Sequence, residues 1–285
     1  MRRLPGALCV AFAAALACRQ NPPSLPRTAT RVVSLSPSTT EALDAIGART
    51  ALVGRSRYCD FPPDVAALPI VGGFVDPNYE AILALHPDLV TGARSPSGPA
   101  LSESLAARGV ATYFPETESL AGVDAMLLGL GERTAHVAEA RTLVAKLDAD
   151  EATVTAFVAR LPPVRALLLF GLAPIVAAGP GGFPDEMLRR AGATNVVAMG
   201  GAYPTLGLEA VLALDPDVVV DAAWGESAGA VRITSESAGW RELRAVKAGR
   251  VLTLRDEILL RPGPRIAAGL RLLAKALHPE ATIPE

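Results

Sequence analysis

Tyr79-Glu80-Ala81-Ile82-Leu83-Ala84-Leu85-His86-Pro87-Asp88-Leu89-Val90 and Leu208-Glu209-Ala210-Val211-Leu212-Ala213-Leu214-Asp215-Pro216-Asp217-Val218-Val219 are near copies of one another. Each reads as a short helix that stops at Pro-Asp and runs at once into an apolar strand. Each has a glutamate in its first turn, and an aromatic lies six residues earlier both times, Phe74 before Glu80 and Tyr203 before Glu209. Gly72-Gly73 and Gly200-Gly201 stand just upstream. The helix macrodipole favours an acid in the first turn by about 0.3–1 kcal/mol, a local reason for the glutamates. It does not account for the paired rings. The duplication predicts two related lobes, each offering one ring and one charge.

The flanking sequence extends the pattern. Arg31-Val32-Val33-Ser34-Leu35 reads as a strand, Ser36-Pro37 as a turn, and Ser38-Thr39-Thr40-Glu41 has the form of a capping box for a helix ending at Gly47. Strand-like segments at 51–54, 89–91 and 111–114 alternate with helix-like segments at 79–85 and 101–108, the rhythm of a parallel α/β sheet. From about 135 to 161 the spacing changes. Val137, Ala140, Val144, Leu147, Val154, Phe157 and Leu161 recur at three, four or seven without Gly or Pro. That predicts one helix of about 27 residues, roughly 40 Å long, able to bridge two lobes. Beyond Pro162-Pro163 the alternation restarts, with strands at 164–170, 217–220 and 251–254 and helices at 185–191, 208–214 and 265–277. The expected class is α/β, two Rossmann-like lobes with parallel sheets bridged by a single long helix. The boundaries are 31–134, 135–161 and 162–285.

The chain has 285 residues and a net charge of −2, which gives no electrostatic reason to expect a nucleic-acid partner. Arg2-Arg3 followed by the apolar run 7–17 reads as an export signal, too short to span a bilayer. It ends Ala15-Leu16-Ala17-Cys18, close to a bacterial lipobox, and Ala15-x-Ala17 also satisfies an ordinary signal-peptidase site. Acylated at Cys18, the protein is anchored to the membrane, because each buried CH₂ contributes about 0.8 kcal/mol. Residues 19–30, with three prolines, read as a tether. With Cys9 in the signal and Cys18 at its end, Cys59 is the thiol of the folded body, and no disulfide framework is expected. His86, His136 and His278 lack metal-ligand spacing.

Together, Val33-Ser34-Leu35-Ser36-Pro37-Ser38-x-x-Glu41, Tyr58-x-Asp60-Phe61-Pro62-Pro63, Val71-Gly72-Gly73, Asn78-x-Glu80-x-Ile82, the two Pro-Asp segments and Arg261-Pro262-Gly263-Pro264-Arg265 resemble the periplasmic cobalamin-binding proteins of ABC importers. These belong to a wider group that also binds haem and ferric siderophores. The resemblance implies a ligand held between two lobes and no catalysis. It implies that Tyr58, Phe74 and Tyr203 place rings against a corrin, and that Glu257, or Asp256 beside it, accepts hydrogen bonds from ligand amides. It implies that Glu80 and Glu209 dock onto arginine pockets of a dimeric permease that works with its ATPase subunits. The expected ligand is a cobalamin-like corrinoid, carried rather than used as a catalytic cofactor, with haem or a ferric siderophore as the alternative. Ala93 and Val176 stand where the cobalamin binders have rings; Trp224 is a candidate to compensate, and Arg94 a candidate contact for an anionic ligand.

A different class is offered by Gly225-Glu226-Ser227-Ala228-Gly229, which fits the G-x-S-x-G nucleophile elbow, with Asp256 and His278 following in the order a serine hydrolase needs. Three features weigh against it. Four residues separate the predicted strand from the motif, one predicted strand remains after Ser227, and no His-Gly-Gly segment supplies an oxyanion hole.

Overall fold

The computed structural model describes residues 28–94, 98–223, 233–254, 257–259 and 261–284. The signal, Cys18, the tether to residue 27, Trp224, the G-x-S-x-G segment and Asp256 lie outside these, and of Glu257 only the backbone is described.

The chain runs β1 (Val32–Ser34), α1 (Pro37–Ala45), β2 (Leu52–Arg55), α2 (Tyr79–Ala84), β3 (Leu89–Thr91), α3 (Gly98–Ala106), β4 (Ala111–Tyr113) and α4 (Leu120–Thr134). It continues α5 (Val137–Val158), β5 (Val164–Leu172), β6 (Ile175–Ala177), α6 (Phe183–Arg190), β7 (Ala193–Asn195), β8 (Thr205–Leu206), α7 (Leu208–Leu214), β9 (Val218–Asp221), α8 (Arg244–Lys247), β10 (Val251–Thr253) and α9 (Ile266–Leu277). Among the described residues these strands form two sheets. The first, ordered β2-β1-β3-β4, is wholly parallel. The second, along β10-β9-β5-β6-β8 with β7 also on β5, is mixed: β7, β9 and β10 run parallel, whereas β6 and β8 pair antiparallel. The antiparallel edge departs from the all-parallel expectation, and it carries the residues just before Glu209.

Strand alternation builds the core. Val32 faces one apolar cluster and Val33 another; Ala166 and Leu168 share the first cluster, while Leu167 and Leu169 face a third. The first cluster runs without interruption from Leu43 of α1 and Ile46 at its C-terminal cap through Met126 and Leu130 of α4 and Leu147 and Val154 of α5 to Met187 of α6 and Leu270 of α9. A helical layer shared by both sheets thus joins the lobes, and relative motion between them disturbs a close-packed core.

Two helices differ from the sequence reading. α1 begins at Pro37, its N-cap being Ser36, whose hydroxyl accepts from the Thr39 N–H at 3.4 Å. The Ser38–Glu41 capping box does not form, because Pro37 presets the first turn and Glu41 is drawn to arginines of the other lobe. The long helix is α5, 22 residues, preceded by Ala135 in the left-handed conformation (φ 62°). Alongside it lies α4, a helix the sequence reading does not contain. Two of its glycines are contact points: a Cβ on Gly129 would overlap the Tyr113 phenol, and one on Gly131 would meet Ala140 of α5.

The duplication is visible atom by atom. His86 (φ 47°) and Asp215 (φ 39°) occupy the same left-handed turn after α2 and α7. Asp88 accepts from the N–H groups of Thr30 (2.9 Å) and Arg31 (3.0 Å), and Asp217 from that of Arg165 (3.3 Å). Arg31 donates to the Leu85 carbonyl at 2.6 Å and Arg165 to that of Leu214 at 2.7 Å. In each lobe an arginine and an aspartate pin the central strand to the end of the repeated helix.

Candidate ligand cleft at the lobe junction

The end of β1, the first turn of α1 and the loop after β2 meet the segment before α9. Ser34, Ser36, Thr39 and Thr40 form a buried hydroxyl network there, and the Ser36 hydroxyl also accepts from Ala93 N–H at 3.0 Å. Buried Arg55 fixes the following loop by donating to the carbonyls of Ser56 (3.1 Å), Cys59 (3.0 Å) and Ala66 (3.0 Å). Cys59 is a buried structural thiol, 3.1 Å from the Thr40 hydroxyl that donates to it. Tyr58 is left pointing outward, 54% exposed.

Glu41 is 2% exposed and spans the junction. Its carboxylate accepts from Arg261 at 2.6 Å and from two nitrogens of Arg265 at 2.7 Å each. Arg261 also pairs with Asp60 at 3.2 Å, and the Arg265 guanidinium lies 4.2 Å above the Phe61 ring. Removing one partner of such a pair leaves a buried charge uncompensated. The sequence placed these residues in motifs but gave no sign that Glu41 and the arginines, 220 or more positions apart, meet.

Above this lock lies a cavity of about 460 Å³ lined by Ser36, Pro37, Ser38, Arg57, Tyr58, Asp60, Phe74, Ala93, Arg261 and Pro262. Tyr58 and Phe74 are therefore brought together. Arg57 forms a two-pronged pair with Asp76, at 3.0 and 2.8 Å, and holds that carboxyl below its ordinary range. Tyr203 is not in the lining; its hydroxyl donates to Glu118 of the first lobe at 2.7 Å, and its ring meets Phe170 edge-on at 5.4 Å. Burial, then the bond to Glu118, pushes the phenol well above its usual pKa. Arg94 is engaged by Glu116 at 2.9 Å and lies outside the cavity lining as well. Ala93 does line it, as a small residue that widens the space.

Glu80 and Glu209 occupy the first turns of α2 and α7, both exposed, and neither has a hydrogen-bond or ion-pair partner among the described residues. Among those residues no group of His, Cys, Asp or Glu is arranged to hold a metal ion, and no helix is long and apolar enough to cross a membrane.

A two-lobed α/β body with a helical spine and a cleft at the lobe junction is the architecture of a family of binding proteins. The periplasmic binding protein family model matches residues 32–258, and the chain belongs to that family. Membership implies a small-molecule ligand and an ABC importer as partner. The chain is 29% identical over 249 residues to a vitamin B12-binding protein of Photorhabdus laumondii, covering 87% of this chain and 88% of that one. Its fold matches the periplasmic vitamin B12 binding protein of Vibrio cholerae with a TM-score of 0.75 at 27% identity, over 88% of this chain and 97% of that one. It also matches an apo periplasmic heme-binding protein from Roseiflexus sp. RS-1 with a TM-score of 0.79 at 28% identity, over 88% and 99%.

Proposed function

We propose that this protein captures a cobalamin-like corrinoid in the cleft between its lobes and delivers it to the permease of an ABC importer, catalysing nothing. The observation that carries the reading is the cleft's charge balance. Arg57 is matched by Asp76, Arg261 by Glu41 and Asp60, Arg265 by Glu41, and Arg94 by Glu116. Among the described residues no cation lining the cavity lacks a carboxylate. Anionic haem or a ferric siderophore calls for uncompensated arginines; a macrocycle edged with neutral amides calls for rings and paired polar groups. Tyr58 and Phe74 supply the rings. Tyr203, Glu257 and Trp224 complete the set from the second lobe, and Arg94 is a peripheral contact.

Haem is the second reading, favoured by the fold match to a heme-binding protein and by exposed Tyr58, whose phenol is an available axial ligand. Titration with cyanocobalamin, haemin and a ferric siderophore decides. The proposal requires corrinoid to bind tightest; failure to bind any corrinoid at micromolar concentration overturns it.

Residues 31–134 and 162–285 serve as the two lobes around the 135–161 spine. Glu80 and Glu209, exposed and unpartnered among the described residues, dock on the permease, and Cys18 carries a lipid anchor after export. Replacing both glutamates by alanine should impair uptake at unchanged ligand affinity, and Cys18→Ser should release the protein from membranes.

A further inference from the structure

We propose that Arg57 and Asp76 form a clasp that fixes Tyr58 and Phe74 as one prearranged wall of the cleft before any ligand arrives. Residues 72–77 make a tight turn closed by a bridge between Gly72 and Pro77 and by Asn78 N–H donating to the Val71 carbonyl at 2.8 Å. Phe74 stands near its tip, after Gly72 in the left-handed region (φ 97°). A turn containing two glycines has much backbone freedom to lose. Three contacts remove it. Arg57 N–H donates to the Gly72 carbonyl at 2.9 Å, Gly73 N–H donates to the Asp76 carbonyl at 3.3 Å, and the Arg57 guanidinium closes on both oxygens of Asp76. The same guanidinium lies 5.7 Å from the Tyr58 ring centre, so one side chain touches both the ring's neighbourhood and the turn.

Gly73 is the seat of the clasp. A Cβ there would run into the Asp76 carboxylate and the Arg57 guanidinium and crowd the Tyr58 ring, so an alanine must displace the pair from this position. Asp76 itself does not line the cavity, whereas Arg57, Tyr58 and Phe74 do. Any effect of Asp76 on the ligand is therefore transmitted through Arg57 and the turn, which makes it a positioning residue. The equivalent ring of the second lobe needs no such clasp, because Tyr203 is held by Phe170, Glu118 and the β6–β8 pairing.

The inference rests on the corrinoid reading only for its first probe, cyanocobalamin. Arg57→Ala and Asp76→Ala should each weaken binding about five- to tenfold, as if the wall held its competent arrangement about one-tenth to one-fifth of the time. The double variant should be no worse than either single, the exchange Arg57→Asp with Asp76→Arg should recover most of the loss, and Gly73→Ala should match the singles. Wild-type binding by Asp76→Ala alongside a weakened Arg57→Ala would make Arg57 a plain ligand contact and overturn the clasp. Additive losses would do the same. If the wild-type protein ignores cyanocobalamin, hydrogen exchange of the ligand-free protein tests the clasp directly. The Gly73 and Asn78 amides should exchange faster, and equally so, in both single variants and recover in the exchanged pair; unchanged exchange overturns the proposal.

Discussion

The two copies of the repeat are alike where they hold their sheets and different where they face the cleft. Behind α2 and α7 the same left-handed turn, the same aspartate and the same arginine tie helix to strand. Ahead of them the copies part. Asn78 caps α2 by accepting from Ala81 N–H at 3.0 Å, and the turn before it is closed by a charged clasp. Gly207 leaves α7 without a side-chain cap, and the corresponding turn is anchored by an antiparallel strand. Scaffold and recognition surface thus follow different rules within one repeated unit: the scaffold depends on backbone geometry that any copy must satisfy, the recognition loops on contacts private to each lobe.

What joins the copies belongs to neither of them, and its removal should have the largest effect. Glu41→Gln leaves Arg261 and Arg265 at the junction without their shared carboxylate and should cost about 3–5 kcal/mol of stability. Because one apolar cluster runs through both lobes, thermal unfolding should remain a single transition at lower temperature. Two separated transitions would show the lobes to be independent bodies and break the comparison at its root.

The junction also shows what the sequence conceals. The repeat, the alternation of strands and helices, and the spine were legible because periodicity and duplication are local signals. α4 was not, since its glycines serve close packing against Tyr113 and Ala140, contacts invisible until the chain is folded. The antiparallel edge was hidden because β6 and β8 are three and two residues long. In the cleft, Tyr58 and Phe74 were expected from motif position and both line the cavity, while the pairing of Glu41 with Arg261 and Arg265 depends on tertiary closure alone.

A second inter-lobe feature predicts a pH effect. Glu151 of α5 is surrounded by Asp124 of α4, Asp148 of its own helix and Glu186 and Arg190 of α6, and Glu186 accepts from Leu120 N–H at the start of α4 at 2.9 Å. Burial, opposed by Arg190, pushes the Glu151 carboxyl from its ordinary 4.5 to about 7, and burial raises Asp124 to about 6. A carboxyl that binds its proton more tightly when folded stabilises fully below its unfolded pKa and loses that contribution as pH rises through the folded one. Stability should therefore fall from pH 5 to pH 8 by about 2 kcal/mol from Glu151. Glu151→Gln should flatten that slope in denaturant titrations; an unchanged slope would remove the cluster from the account of how the lobes are joined.

The shared scaffold can be tested against itself. Asp88 accepts three hydrogen bonds, from Thr30 N–H, the Thr30 hydroxyl and Arg31 N–H, whereas Asp217 accepts one from Arg165 N–H and pairs with exposed Arg244 at 3.0 Å. Asp88→Ala should cost about 2 kcal/mol and Asp217→Ala about 1 kcal/mol. The copies share a design but not its strength, so the order matters more than the sizes. A larger loss at Asp217 would mean that the second copy relies on this aspartate more than its contacts indicate.

The smallest expected effect sharpens the contrast between the two rings. Tyr203→Phe removes the 2.7 Å bond to Glu118 but keeps the edge contact with Phe170. Glu118 is exposed, so water replaces the lost donor, and stability should fall by no more than about 0.5–1 kcal/mol. The phenol's raised pKa keeps it a neutral donor at every pH in ordinary use, so this loss should not vary between pH 5 and pH 9, unlike the effect at Glu151. If the ring alone is what the second lobe offers the ligand, cyanocobalamin affinity should be the same for Tyr203→Phe as for wild type. A clear loss would mean that the hydroxyl bridge to Glu118 sets the ring's position, giving the second lobe a fixing device of the same kind that Arg57 and Asp76 give the first.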